Sequence, residues 1–188
     1  MRRGMLISLL LCSSSLFAAD VDVTVNFKAN LLATTCTINI VVGSSKAVNQ
    51  TIDFGVLTWA EIEAQGSNIR KDFSLEYSDC YITKSGTKTA QTLNWMQTLP
   101  KASSSWSGYP TEMKGGRVGV AGVLYRTSNL NTPLPLGVNN TEKIIWSSTE
   151  RSNGKLPLSL FLRPTSYPGT PTTSGMYSAT LTFTTTYQ

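Results

Sequence analysis

The stretch Gly175-Met176-Tyr177-Ser178-Ala179-Thr180-Leu181-Thr182-Phe183-Thr184-Thr185-Thr186-Tyr187-Gln188 ends the sequence and decides how the rest is read. Tyr177, Ala179, Leu181, Phe183, Thr185 and Tyr187 share one face of an extended chain, and Ser178, Thr180, Thr182, Thr184 and Thr186 share the other. Period-two alternation built from threonine and aromatic residues predicts a β-strand with one buried face. The same pattern recurs far upstream, where Val21, Val23, Val25 and Phe27 alternate with Asp22, Thr24, Asn26 and Lys28. Between the two lie strand candidates at 36–42, 51–54, 72–77, 89–97, 117–125, 142–147 and 156–162. Gly43-Ser44-Ser45, Lys84-Ser85-Gly86, Ser107-Gly108-Tyr109-Pro110, Asn139-Asn140 and Ser152-Asn153-Gly154 are turn signals between them. Residues 58–64 predict one or two helical turns, with Thr58 as N-cap and Glu61 three residues on. Residues 164–174, with three prolines and a glycine, read as a loop. Many short strands in 188 residues predict one all-β sandwich domain.

Composition narrows the function. The sequence has no histidine, so Ser-His-Asp and Cys-His nucleophile pairs and histidine-containing zinc sites are excluded. The carboxylates Asp53, Glu61, Glu63, Asp72, Glu76 and Asp79 form no recognisable acid/base pair. Gly115-Gly116-Arg117-Val118-Gly119 reads as a turn into a strand rather than a phosphate-binding loop. No enzyme, metal or cofactor is expected. Charged residues are 14% against 40% apolar, which argues for a folded chain.

Residues 1–19 have the layout of a secretory signal peptide: basic Arg2 and Arg3, an apolar run over 5–11, and a small-residue exit ending in Ala18-Ala19. Cleavage fits after either Ala18 or Ala19. Removal takes away Cys12 and lowers the net charge from +5 to +3. The remaining Lys and Arg are scattered, without the basic stripe that nucleic-acid binding needs. Cys36 and Cys80 are left in an oxidising compartment, which predicts one disulfide that staples the fold.

Four features, taken in order behind that signal, resemble the pilin subunits of the chaperone–usher pathway. They are Asp20-Val21-Asp22-Val23-Thr24-Val25-Asn26-Phe27-Lys28; Cys36-Thr37-Ile38; Ile52-Asp53-Phe54-Gly55-Val56-Leu57 leading to Phe73-Ser74-Leu75-Glu76-Tyr77-Ser78-Asp79-Cys80; and the terminal strand with tyrosine penultimate. The resemblance implies an incomplete immunoglobulin-like β-sandwich over 34–188, completed by a strand donated from a neighbouring subunit. The donor would be an N-terminal extension over 20–33, with Val21, Val23, Val25, Phe27, Ala29 and Leu31 as its inserted side chains. It also implies a structural subunit of an adhesive surface fimbria, passed by a periplasmic chaperone to an outer-membrane usher. The edge strand marked by Gly175, Tyr177, Ala179, Leu181, Phe183, Tyr187 and Gln188 would dock the chaperone and border the groove, with the Gln188 carboxylate held by basic residues of the chaperone.

The residues themselves are consistent with strand donation. Fourteen residues extend about 45 Å, and an edge with no later strand to cover it invites strand addition. Head-to-tail repetition of such a contact gives an open fibre. Pattern alone leaves residues 21–31 equally readable as an ordinary first strand of the chain's own sandwich. Ala29 stands where family members usually have glycine, and the extra methyl is expected to narrow the choice of neighbour, as in a minor subunit. A competing reading is a single-domain adhesin for a host glycan, with Trp95, Trp106 and Tyr109 flanking a Ser/Gly-rich loop.

Overall fold

The computed structural model describes residues 20–31, 36–84, 87–90, 93–116, 119–170 and 172–188. The expected signal segment over 1–19 therefore lies outside the described residues. The elements, in chain order, are β1 (Asp20–Leu31), β2 (Thr37–Val42), β3 (Ser45–Ala47), β4 (Asn49–Thr58), α1 (Trp59–Ala64), a 3-10 turn (Ser67–Ile69), β5 (Arg70–Ser78), β6 (Tyr81–Lys84) and β7 (Thr87–Ala90). They continue with β8 (Met96–Ala102), β9 (Ser105–Trp106), β10 (Tyr109–Lys114), β11 (Val120–Arg126), β12 (Ile144–Ile145), α2 (Ser148–Asn153), β13 (Lys155–Pro164) and β14 (Gly175–Tyr187).

Two sheets face each other. One has the order β12-β8-β14-β1-β4 and the other β3-β2-β5-β13-β11-β10-β9, with β6 and β7 forming a separate hairpin. The alternation read from sequence sets which side chains meet between them. Tyr177, Ala179, Leu181, Phe183 and Thr185 of β14 turn inward, as do Leu156, Leu158, Leu160 and Leu162 of β13, and all nine are buried. At strand period two, each such row puts every second side chain into one shared core. One polar cluster within it is internally paired: the Thr98 and Thr185 hydroxyls lie 2.9 Å apart, and Trp146 Nε1 donates to Thr98 Oγ1 at 2.9 Å. The Cys36–Cys80 disulfide joins the start of β2 to the end of β5, across Cα atoms 4.1 Å apart.

Four expectations change. The strand expected over 89–97 is two strands, because the backbone of Asn94 and Trp95 breaks away to bond Gln188. The strand expected over 142–147 shrinks to β12: the Asn140 amide donates to the carbonyls of Pro100, Pro135 and Glu142, holding the approach as a loop. Ser147 then starts a helix instead of ending a strand. Ser152-Asn153-Gly154 is not a bare turn but the end of α2, with Gly154 at φ +66° as its left-handed cap.

Candidate functional site

In this single chain β1 is an interior strand. It runs parallel to β14, from Val21 opposite Gly175 to Leu31 opposite Thr185, and antiparallel to β4, from Asp20 opposite Thr58 to Lys28 opposite Asn49. A bulge in β4 at Phe54-Gly55 lets both Phe54 and Leu57 stay buried. Gly55 takes φ +71° there, and its N–H is held by Asp53 Oδ1 at 2.7 Å. Without β1, the facing edges of β14 and β4 would be unpaired and the core between the sheets would open along a groove.

What holds β1 is apolar packing. Val25 and Phe27 are buried, each worth about 1.5–3 kcal/mol relative to exposure. The Phe27 ring lies 4.9 Å from that of Phe73 and stacks on Phe183 at 5.9 Å, so one side chain ties both sheets together. Among the described side chains, the polar tie is the Thr51 hydroxyl donating to Asn26 Oδ1 at 3.1 Å on the outer surface. Neither an ion pair nor the disulfide fixes the described part of β1. Side chains of residues 20–23 and 29–31, including Val21, Val23, Ala29 and Leu31, lie outside the described set, while their backbone keeps the register of the two pairings above.

The groove-edge residues named from sequence fall on β14 and its end. Tyr177 spans the sandwich: its hydroxyl donates to the Met113 carbonyl at 2.7 Å and accepts from Gly122 N–H at 2.8 Å. Burial pushes the Tyr177 hydroxyl pKa far up, against the Gly122 hydrogen bond, with nearby Glu112 adding to the rise. The ring fits because Gly115 and Gly122 have no Cβ; one built on Gly115 would lie 2.6 Å from it. Tyr187 accepts the Cys36 N–H at 3.1 Å, and Gln188 exchanges backbone hydrogen bonds with Trp95. The beginning of the cysteine-bridged body is thus pinned to the far end of β14, where β1 also ends.

Other candidates sort themselves by partner. Glu61 closes the α1 capping box with Thr58, Asp72 pairs with Arg70 and accepts from Ser159, and Glu76 pairs with Lys46 and Lys155. These carboxylates serve the fold. Glu112, which the sequence reading passed over, is buried: it accepts from Ser166 N–H and from Thr165 Oγ1, and lies 3.5 Å from Arg163. It anchors the start of the proline-rich loop before β14. Its exposed-looking strand position gave no signal of burial.

Of the aromatics in the adhesin reading, Trp106 and Tyr109 pair across β9 and β10 and both pack on Tyr167, at 4.7 and 5.7 Å between ring centres, while Trp95 stays apart. Trp95 precedes β8 and Trp106 lies past its other end, so seven strand residues, about 23 Å, separate them. Trp106 stacks on Tyr167 at 4.7 Å, and Lys114 Nζ sits 4.4 Å from the same ring centre. A ring stacked that closely on one face can receive the ammonium only on the other, so neither face of Trp106 is free for a sugar. A 570 Å³ hollow lined by Trp106, Pro110, Val138 and Glu142 lies beside it.

The fold is similar to that of PapA, the rod subunit of the P pilus, at a TM-score of 0.58 and 22% identity, over 84% of this chain and 94% of that one. A chain from a chaperone–usher pilus, solved for the basis of rod uncoiling, is a weaker likeness at TM-score 0.48 and 22% identity, covering 74% of this chain and 82% of that one. No curated protein sequence matches. The fimbrial protein family model matches residues 25–188, and the chain belongs to that family. It is accordingly a subunit of a surface fimbria, a structural protein and not an enzyme.

Proposed function

We propose that this subunit polymerises by donor-strand exchange: the 20–33 extension leaves its own groove and fills that of a neighbour, after delivery from the periplasm by a chaperone to an outer-membrane usher. The observation that carries the reading is the position of β1. It is the first described strand, joined to the body on one side only once the expected signal segment over 1–19 is removed, yet it lies inside a sheet between β14 and β4. A strand so placed can leave without threading the chain, and its departure exposes two edges and an apolar slot that together demand a replacement.

Direction follows from where the body sits. In its own groove β1 ends beside Thr185, close to where Cys36 meets Tyr187. A neighbour's strand entering the same way would have to bring its own Cys36, five residues past Leu31 and at most about 17 Å away, into the space this chain's Cys36 already fills. The opposite direction removes the conflict and keeps the period-two face inward. Donated strands therefore run antiparallel to β14 and leave the groove at its Gly175 end. During delivery the chaperone's strand would occupy the same slot against β14. The 20–33 and 34–188 division is the boundary between exchangeable strand and body.

The test is uptake of a labelled 20–33 peptide by the full mature chain, followed by mass and fluorescence. Uptake is expected, and Phe27→Ala in the chain should speed it while Phe27→Ala in the peptide should abolish it. Absence of uptake under conditions that leave the body folded would overturn the proposal.

A further inference from the structure

We propose that Met176 and Val56 form the seat on which the body of the incoming subunit, a second copy of this chain, rests once its strand fills the groove; this inference rests on the exchange reading above. Met176 and Val56 are 65% and 63% exposed, the highest values among the described large apolar side chains. They belong to different strands, yet both pair in register with the same residue of β1, Asp22. Two strand spacings, about 10 Å, separate them. Their neighbours on the same outer faces are Ser178 and Thr180 on β14, and Asp53 and Thr51 on β4, so the apolar pair interrupts two polar rows.

Single exposed apolar side chains need no explanation. Two that face each other across the strand that exchanges, at one end of it, do. The chain's own β1 enters the sheet at this end, whereas a reversed strand leaves here. The donor's body then begins within five residues of Met176 and Val56, at most about 17 Å of chain. The surface it brings is the end of the molecule that carries Cys36. That end also shows apolar side chains: Val48, just before β4, and Ile145 of β12, which pairs with Gln97 beside Thr186. Val48 and Val56 lie at opposite ends of one strand, about 26 Å apart. Apolar surface at both ends of one sheet suits a heterologous contact that repeats along a fibre, where an isologous pair would close.

The experiment compares the full mature chain with its Val56→Thr/Met176→Thr variant. Oligomers are formed under identical conditions and transferred to sub-denaturing urea, and their lifetimes are read by light scattering. Uptake of the 20–33 peptide, which brings no body, is measured in parallel. The expected result is unchanged peptide uptake with oligomers that dissociate about tenfold faster, as the loss of two apolar contacts implies. Variant oligomers as long-lived as the wild type would overturn the seat while leaving exchange intact. Wild-type chains that take up peptide but form no oligomers would overturn the second copy as its occupant. Failure of the wild type to take up peptide would bring down the exchange reading and the seat with it.

Discussion

Tyr177 concentrates the residue-scale physics: a large side chain, wholly buried, whose one polar atom is paired twice across the sandwich. Tyr177→Phe leaves a buried N–H and a buried carbonyl without a partner, so it should cost about 1–3 kcal/mol in urea unfolding. Gly115→Ala should cost at least as much, since the new methyl meets the ring at 2.6 Å and the ring has no room to retreat. The hydroxyl should stay neutral into strongly alkaline solution, its tyrosinate absorbance rising only with unfolding. Acid acts through the carboxylates. Burial alone would raise Asp72 and Glu76, but Arg70 and Ser159 around the first, and Lys155, Ser74 and Lys46 around the second, hold both below their ordinary values of 3.8 and 4.5. A carboxylate whose folded pKa is depressed adds stability that is complete above its unfolded pKa and is lost as pH falls through the folded one. The urea midpoint should therefore be level above about pH 5.5 and fall below about pH 4.5, with a shallower fall in Asp72→Asn, as measured by unfolding at stepped pH.

At the scale of elements, local chemistry was legible and long-range partnership was not. Thr58 and Glu61 form the reciprocal capping box that their spacing predicts, and Thr58→Ala should cost about 1 kcal/mol by thermal unfolding. Ser147 and Glu150 make the same box for α2; the signature stood in the sequence, but the apolar run before it drew the reading toward a strand. The alternation of the first and last strands fixed their buried faces, since side chains on a pleat have only two choices. Alternation carries no information about which strands become neighbours, so it could not separate an own first strand from a donated one. Nor could it show that Glu112 would be buried, because its partners Thr165 and Ser166 lie more than fifty residues away. The disulfide is a different kind of element, closing a sequence separation of 44 residues. In the chain-entropy picture its removal by paired Cys→Ser substitution should lower stability by about 4 kcal/mol, which urea titration of the variant would show.

At the scale of the molecule, the proposed exchange asks one strand to serve two states. In the single chain β1 closes its own sandwich, parallel to β14, and protects the edges that would otherwise aggregate. Under the exchange proposed above, the same residues, reversed, would close a neighbour's sandwich in the fibre. The two states compete for one slot, so the held strand should delay assembly until it is displaced. The competition can be frozen at a single register pair, because Thr24 and Ser178 lie opposite each other on adjacent strands, at a spacing that a disulfide can bridge. The most direct measurement is the polymerisation rate, by light scattering, of oxidised Thr24→Cys/Ser178→Cys chain beside wild type. The locked chain should stay monomeric and refuse the 20–33 peptide while the wild type assembles; a locked chain that assembles as fast as the wild type would contradict strand exchange as the basis of the fibre.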